Sequence, residues 1–157
     1  MKFRLICLIL LFTGNTTWAQ SPAGLDSLLS HLSGNSRHLT KIIAVKKFIS
    51  QGTISLPALA ANFTDTTLSK VFSNCTGRYL TKGEIAIILA DRIETMPYFT
   101  LTGLQNCLLE SCDDNPNFVE YYFYFIRVRG MTKAFQRRYV EWLSSVERKK
   151  WIRPETR

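Results

Sequence analysis

Two histidines and four cysteines in 157 residues leave little from which to build a metal centre or a nucleophilic dyad. His31 and His38 sit near the N-terminal end, and Cys75, Cys107 and Cys112 are scattered without a C-x-x-C pair, a C-x-x-C-H haem site or an H-E-x-x-H motif. Zinc sites draw three or four such ligands from recurring spacings, so no metal site is expected. No Gly-rich phosphate loop and no G-x-S-x-G nucleophile elbow is present either. No cofactor is expected and no catalytic residue is assigned. Long apolar runs are missing too. Residues 5–12 form a short one, far below the ~20 residues that cross a bilayer, and nothing later approaches that length.

That short run has a context. Lys2 and Arg4 precede it, and Thr17 and Ala19 place small residues three and one positions before Gln20. A positive segment, an apolar segment and a small-residue cleavage site form the pattern of a secretory signal peptide. The sequence therefore predicts residues 1–19 as signal peptide and a periplasmic or secreted location. Residues 20–157 are then a single α-helical domain with a basic C-terminal helix, long enough to bury most of its apolar surface. Asn62 and Asn74 open Asn-x-Thr sequons, which matter only in a host that glycosylates.

An oxidising compartment permits disulfides, and three cysteines remain once Cys7 leaves with the signal. Along one continuous helix the α-carbons of Cys107 and Cys112 would stand roughly 8 Å apart, beyond the roughly 7 Å reach of a bridge. The expected staple joins Cys75 to Cys107 or Cys112 and leaves one thiol over.

Apolar residues recur at helical spacing almost everywhere. Leu25, Leu28, Leu29 and Leu32 outline a first helix, residues 36–51 a second, and Leu56 with Pro57 opens a third. Leu68, Val71 and Phe72 outline another that ends near Cys75. Thr81 and Glu84 have capping-box spacing and open the best-specified helix, with Ile85, Ile88, Leu89 and Met96 on one side and Pro97 ending it. Residues 101–111 and 132–151 complete the set, the last with Phe135, Tyr139, Trp142, Leu143 and Val146 on one stripe. The expected fold is mainly α: a single compact bundle of six to seven short helices, stapled by one disulfide.

The stretch "NPNFVEYYFYFIRVRG" carries five aromatics in a row, Tyr121 to Phe125. A strand there has only "RYLT" and "YFTLTG" as neighbours, so a helix is preferred, capped by Asn115 with Pro116 at its first position. Asn117, Glu120, Tyr124, Arg127 and Met131 then share one stripe, with Glu120 and Arg127 marking a narrow wet face and the rest buried. The competing expectation leaves some of Tyr121, Tyr122 and Tyr124 outside as an aromatic contact surface.

Charge is polarised. Residues 127–157 hold ten Lys/Arg against three Glu, whereas residues 20–126 hold eight against nine acidic groups. Such asymmetry points to an acidic protein partner or an anionic envelope surface, and nucleic acid does not fit an exported chain. The candidate contacts are Tyr124, Arg127, Lys133, Arg137, Arg138, Arg148 and Lys149. The expected function is an exported small helical binding module, such as an inhibitor, an immunity-type protein or an envelope adaptor. The alternative is a small secreted hydrolase that uses a cysteine nucleophile or a carboxylate pair, with Glu84, Asp91 and Glu94 near one helical stripe.

Overall fold

The computed structural model describes residues 22–104, 115–128 and 130–152. The expected signal peptide, Cys107, Cys112 and residues 105–111 of the expected helix 101–111 lie outside them. Helix α1 spans Pro22–His31 and strand β1 Ser33–Asn35. A 3-10 helix Ser36–Lys41, α2 Ile43–Ile49, a 3-10 helix Gly52–Ser55 and α3 Leu56–Asn62 follow. Strands β2 Leu68–Ser73 and β3 Arg78–Thr81 lead into α4 Lys82–Ile93 and α5 Tyr98–Thr102. The aromatic stretch is a 3-10 helix Phe118–Tyr122 continued by α6 Phe123–Val128, before α7 Thr132–Leu143 and α8 Val146–Ile152.

The molecule is mainly helical, but the expected all-helical bundle does not form, because a three-stranded mixed sheet is built into it. β2 is the central strand. It runs parallel to β1, with Gly34 opposite Val71, and antiparallel to β3, with Phe72 opposite Tyr79. Leu68, Val71 and Phe72 satisfied a helical spacing, yet a period of two wins, with Val71 and Ser73 buried and Lys70 exposed between neighbours. The turn at residues 74–77, with Gly77 at φ +68°, instead folds β3 back onto β2. The Phe72 and Tyr79 rings then meet edge-on at 5.4 Å, the kind of cross-strand pair that stabilises a sheet. Cys75 lies in this turn as a half-cystine, and every other cysteine of the chain lies outside the described residues.

Two expected long helices are broken. Ile42 is extended, with ψ 127°, and divides residues 36–51 into a 3-10 helix and α2. Residues Ser144 and Ser145 separate α7 from α8, and Val146, expected on the buried stripe, is 60% exposed.

α4 is the central post. Every residue from Gly83 to Ala90 is buried, and the helix packs on α1, α2, α3 and the segment Phe118–Tyr122. Its start matches the sequence expectation: the Thr81 hydroxyl accepts from the Glu84 amide at 3.2 Å, and Glu84 Oε2 accepts from the Thr81 amide at 2.8 Å. Phe63, at the end of α3, packs its ring 5.0 Å from that of Tyr139 and 5.9 Å from that of Phe135, seating α7 on the core.

Gly83 lets α4 approach the loop after α3. Its amide donates to the Asp65 carbonyl at 3.0 Å, and a Cβ on it would stand 2.5 Å from the Phe63 carbonyl oxygen and 2.8 Å from that of Asp65. Both obstacles are backbone and cannot swing away. Gly83→Ala is therefore expected to cost about 3 kcal/mol of stability through forced displacement of that loop. Urea unfolding measures it, and a loss below about 0.5 kcal/mol would contradict this close approach.

Candidate functional site

Two features flank the aromatic stretch: a buried polar network beneath it and a cleft beside it. Glu120, expected on a wet face, is only 1% exposed, and Asn117, expected on the same stripe, only 2%. Asn117 Nδ2 donates to the Ser36 carbonyl at 2.8 Å and to Glu120 Oε1 at 2.9 Å, and its Oδ1 accepts from Arg92 Nε and Nη2 at 3.1 and 2.9 Å. The Ser73 hydroxyl donates to Glu120 Oε2 and accepts from the Thr76 amide at 3.1 Å. A buried carboxylate is tolerated where its oxygens are met by donors in this way. The network ties the segment to the end of β2, to the start of the 3-10 helix after β1 and to α4. Asn115 does not cap a helix as expected. Its Oδ1 accepts from the Asn117 amide at 2.9 Å, and Asn117 precedes the 3-10 helix.

Because the segment begins as a 3-10 helix and continues as α6, its faces divide differently from one straight helix. Val119, Tyr122, Phe123 and Ile126 enter the core, while Tyr124, 66% exposed, and Arg127 stand outward. Tyr124 and Arg127 are three residues apart and share one side of α6. Rings of Tyr98, Phe118, Tyr121 and Phe125 run in contact along the partly open side, at centroid distances of 5.4 to 6.5 Å. Both expectations hold in part: one side is core and the other is an aromatic surface.

The cleft lies between the loop after α3, the start of α4 and α6. It encloses about 300 Å³ and is lined by Phe63, Ile87, Phe123 and Ile126 below. Leu68, Thr64, Asp65, Thr66, Arg127 and Thr132 stand around them. That volume is at the low end of ligand pockets, suited to a side chain or two. Glu84 also lines it, but both its oxygens are occupied by Arg78, at 2.6 and 2.8 Å, a pairing that raises the guanidinium above its ordinary range. Asp65 Oδ1 accepts from the Thr67 amide at 2.8 Å, which shapes the loop.

The sequence-predicted contacts do not converge on one surface. Arg127 is at the cleft and Tyr124 next to it; Lys133 and Lys149 are exposed. Arg137 is exposed and only 3.9 Å from Glu141, a surface pair of little energetic consequence. Arg138 donates to the Leu101 carbonyl at 3.0 Å. Arg148 forms a two-pronged pair with the buried Glu94, at 2.9 and 2.8 Å, and stacks 5.7 Å over Trp142. Those two arginines hold the chain's own fold. The cleft's threonines and Asp65 were missed; the available signal was the D-x-T spacing of a side chain-capped turn in "DTT", Asp65 to Thr67.

The carboxylates of the hydrolase alternative are each engaged internally. Glu84 pairs with Arg78, Glu94 with Arg148, and Asp91 Oδ1 accepts from the Tyr98 hydroxyl at 2.6 Å and the Met96 amide at 3.0 Å. Among the described residues no group of three His, Cys, Asp or Glu stands close enough to hold a metal ion.

No protein-family model matches the chain, and no curated protein and no solved structure is significantly similar to it. What fold and site define is a small, mainly helical domain with a three-stranded mixed sheet and an apolar-floored cleft edged by Arg127.

Burial pushes the Asp91 carboxyl above its ordinary value of 3.8, more than its hydrogen bonds from Tyr98 and Met96 pull it down. A raised folded-state pKa means that the native state holds the proton more tightly. The stability from this group is fully present below the unfolded pKa and is lost as pH rises through the folded one. The stability of wild type relative to the non-titrating Asp91→Asn is therefore expected to fall from about pH 3 towards about pH 7 in paired unfolding titrations. A relative stability of wild type that rose with pH would contradict a raised value.

Proposed function

We propose that this protein is an exported binding module that seizes an acidic segment of a partner protein. An apolar side chain of the partner enters the cleft, and a neighbouring carboxylate meets Arg127. The observation that carries this reading is the placement of Arg127 at an open cleft floored by Phe63, Ile87, Phe123 and Ile126, with Tyr124 exposed on the same side of α6. An aromatic and an arginine beside an apolar recess are the residue types on which interface energy concentrates. The surplus of Lys and Arg over Asp and Glu in residues 20–157, eighteen against twelve, favours acidic partners by steering their approach. Export is supported by the pattern of residues 1–19.

The test is a set of short fluorescent peptides in which a Leu or Phe is followed by either Glu or Lys. The acidic peptides should bind more tightly, and Arg127→Glu should reverse that preference with a loss of roughly tenfold. Equal binding of both kinds, or an unchanged preference in the variant, would contradict the assignment of Arg127.

A further inference from the structure

We propose that the outer face of α2, with the turns on either side of it, is an adsorption surface for an anionic lipid bilayer. Residues 27–64 contain no Asp or Glu, yet they carry Arg37, Lys41, Lys46 and Lys47. Helix α2 turns Val45 and Phe48 into the core. At 100° per residue Ile43, Lys47 and Ser50 lie on the opposite stripe, with Ala44 and Lys46 beside them. All five are exposed. Ile43 is 83% exposed, more than any other large apolar side chain among the described residues, and Ile54 in the following 3-10 helix is 65% exposed.

One exposed isoleucine needs no explanation. The combination is what discriminates. Lys41, Lys46 and Lys47 take part in none of the ion pairs of the described residues, whose carboxylates are matched to Arg78, Lys82, Arg137 and Arg148. Unpaired cations therefore ring an apolar side chain that points away from the core. An anionic bilayer offers both complements at once: a layer of negative charge that attracts lysines within a Debye length, and an apolar layer beneath it that accepts Ile43. An acidic protein surface offers the charge but needs a dedicated recess for the isoleucine. Among the described residues no helix is long and apolar enough to cross a membrane, so the contact is peripheral. None of these residues lines the cleft, so the two surfaces are independent.

The test uses the chain from Gln20, which keeps every core residue among the described ones, sedimented with phosphatidylcholine vesicles with and without about 30% phosphatidylglycerol. Binding is expected to the anionic vesicles alone and to weaken with added salt. It should fall at least about tenfold in Lys46→Glu/Lys47→Glu, and about fivefold in Ile43→Ser, which keeps the charge. The substituted side chains are exposed, and an unchanged circular dichroism spectrum verifies the fold. Equal binding to neutral vesicles, no binding to either kind, or an unaffected double variant would overturn the proposal. So would vesicle binding lost only on reversal of Lys133 and Arg137, which would place the surface on α7.

Discussion

A helix buried through its middle has to place its charges at its ends, and the partners found there arrange the rest of this molecule. α4 is apolar and enclosed from Ile85 to Ala90. Its charged residues, and Glu94 just beyond it, each reach a different element. Lys82 meets Asp26 of α1 at 2.7 Å, Glu84 takes Arg78 of β3, and Asp91 accepts from Tyr98 of α5. Arg92 holds Asn117 at the start of the aromatic segment, and Glu94 holds Arg148 of α8. Apolar burial supplies the main driving force, about 25 cal/mol per Å² removed from water. It does not specify which elements sit where. The five polar links do, because leaving any buried charge without its partner costs more than the link itself contributes.

The cleft follows from the same constraint. Arg92 and Asn117 fix the start of the aromatic segment, Glu120 and Ser73 fix it to the sheet, and α6 then runs past the start of α4 with Phe123 and Ile126 inward. Gly83 brings the loop after α3 against the other side. The gap between is floored by side chains that belong to the core and edged by Arg127. Cations with a structural duty and cations that face outward thus separate. Arg78, Arg92 and Arg148 serve α4, while Arg127, Lys46 and Lys47 stand at surfaces where a partner can reach them.

Where a local rule has one solution, the sequence was a sufficient guide. The Thr81–Glu84 cap, the stripe of Phe135, Tyr139 and Trp142, and the helical character of the aromatic stretch are all legible, since each depends on residues within a few positions. β2 was not legible, because "LSKVFS" meets a helical and a strand spacing alike, and only the return of β3 at Gly77 decides between them. Glu120 looked like a solvent-facing charge because its donors, Ser73 and Asn117, come from a distant strand and from a change of helix type. Arg148 looked like a contact for the same reason, its partner Glu94 being fifty-four residues away in sequence. Charges read from sequence alone default to the surface. In this molecule the distant pairings decide which ones belong there.

Hydrogen exchange by NMR on Glu94→Gln tests the central role of α4 most directly. If the charges of α4 hold the outer elements in place, α8 amides should lose protection in the variant while those of Ile85 to Ala90 still exchange only through global unfolding. Unchanged protection in α8, or an equal loss along α4, would mean that apolar packing alone arranges these elements.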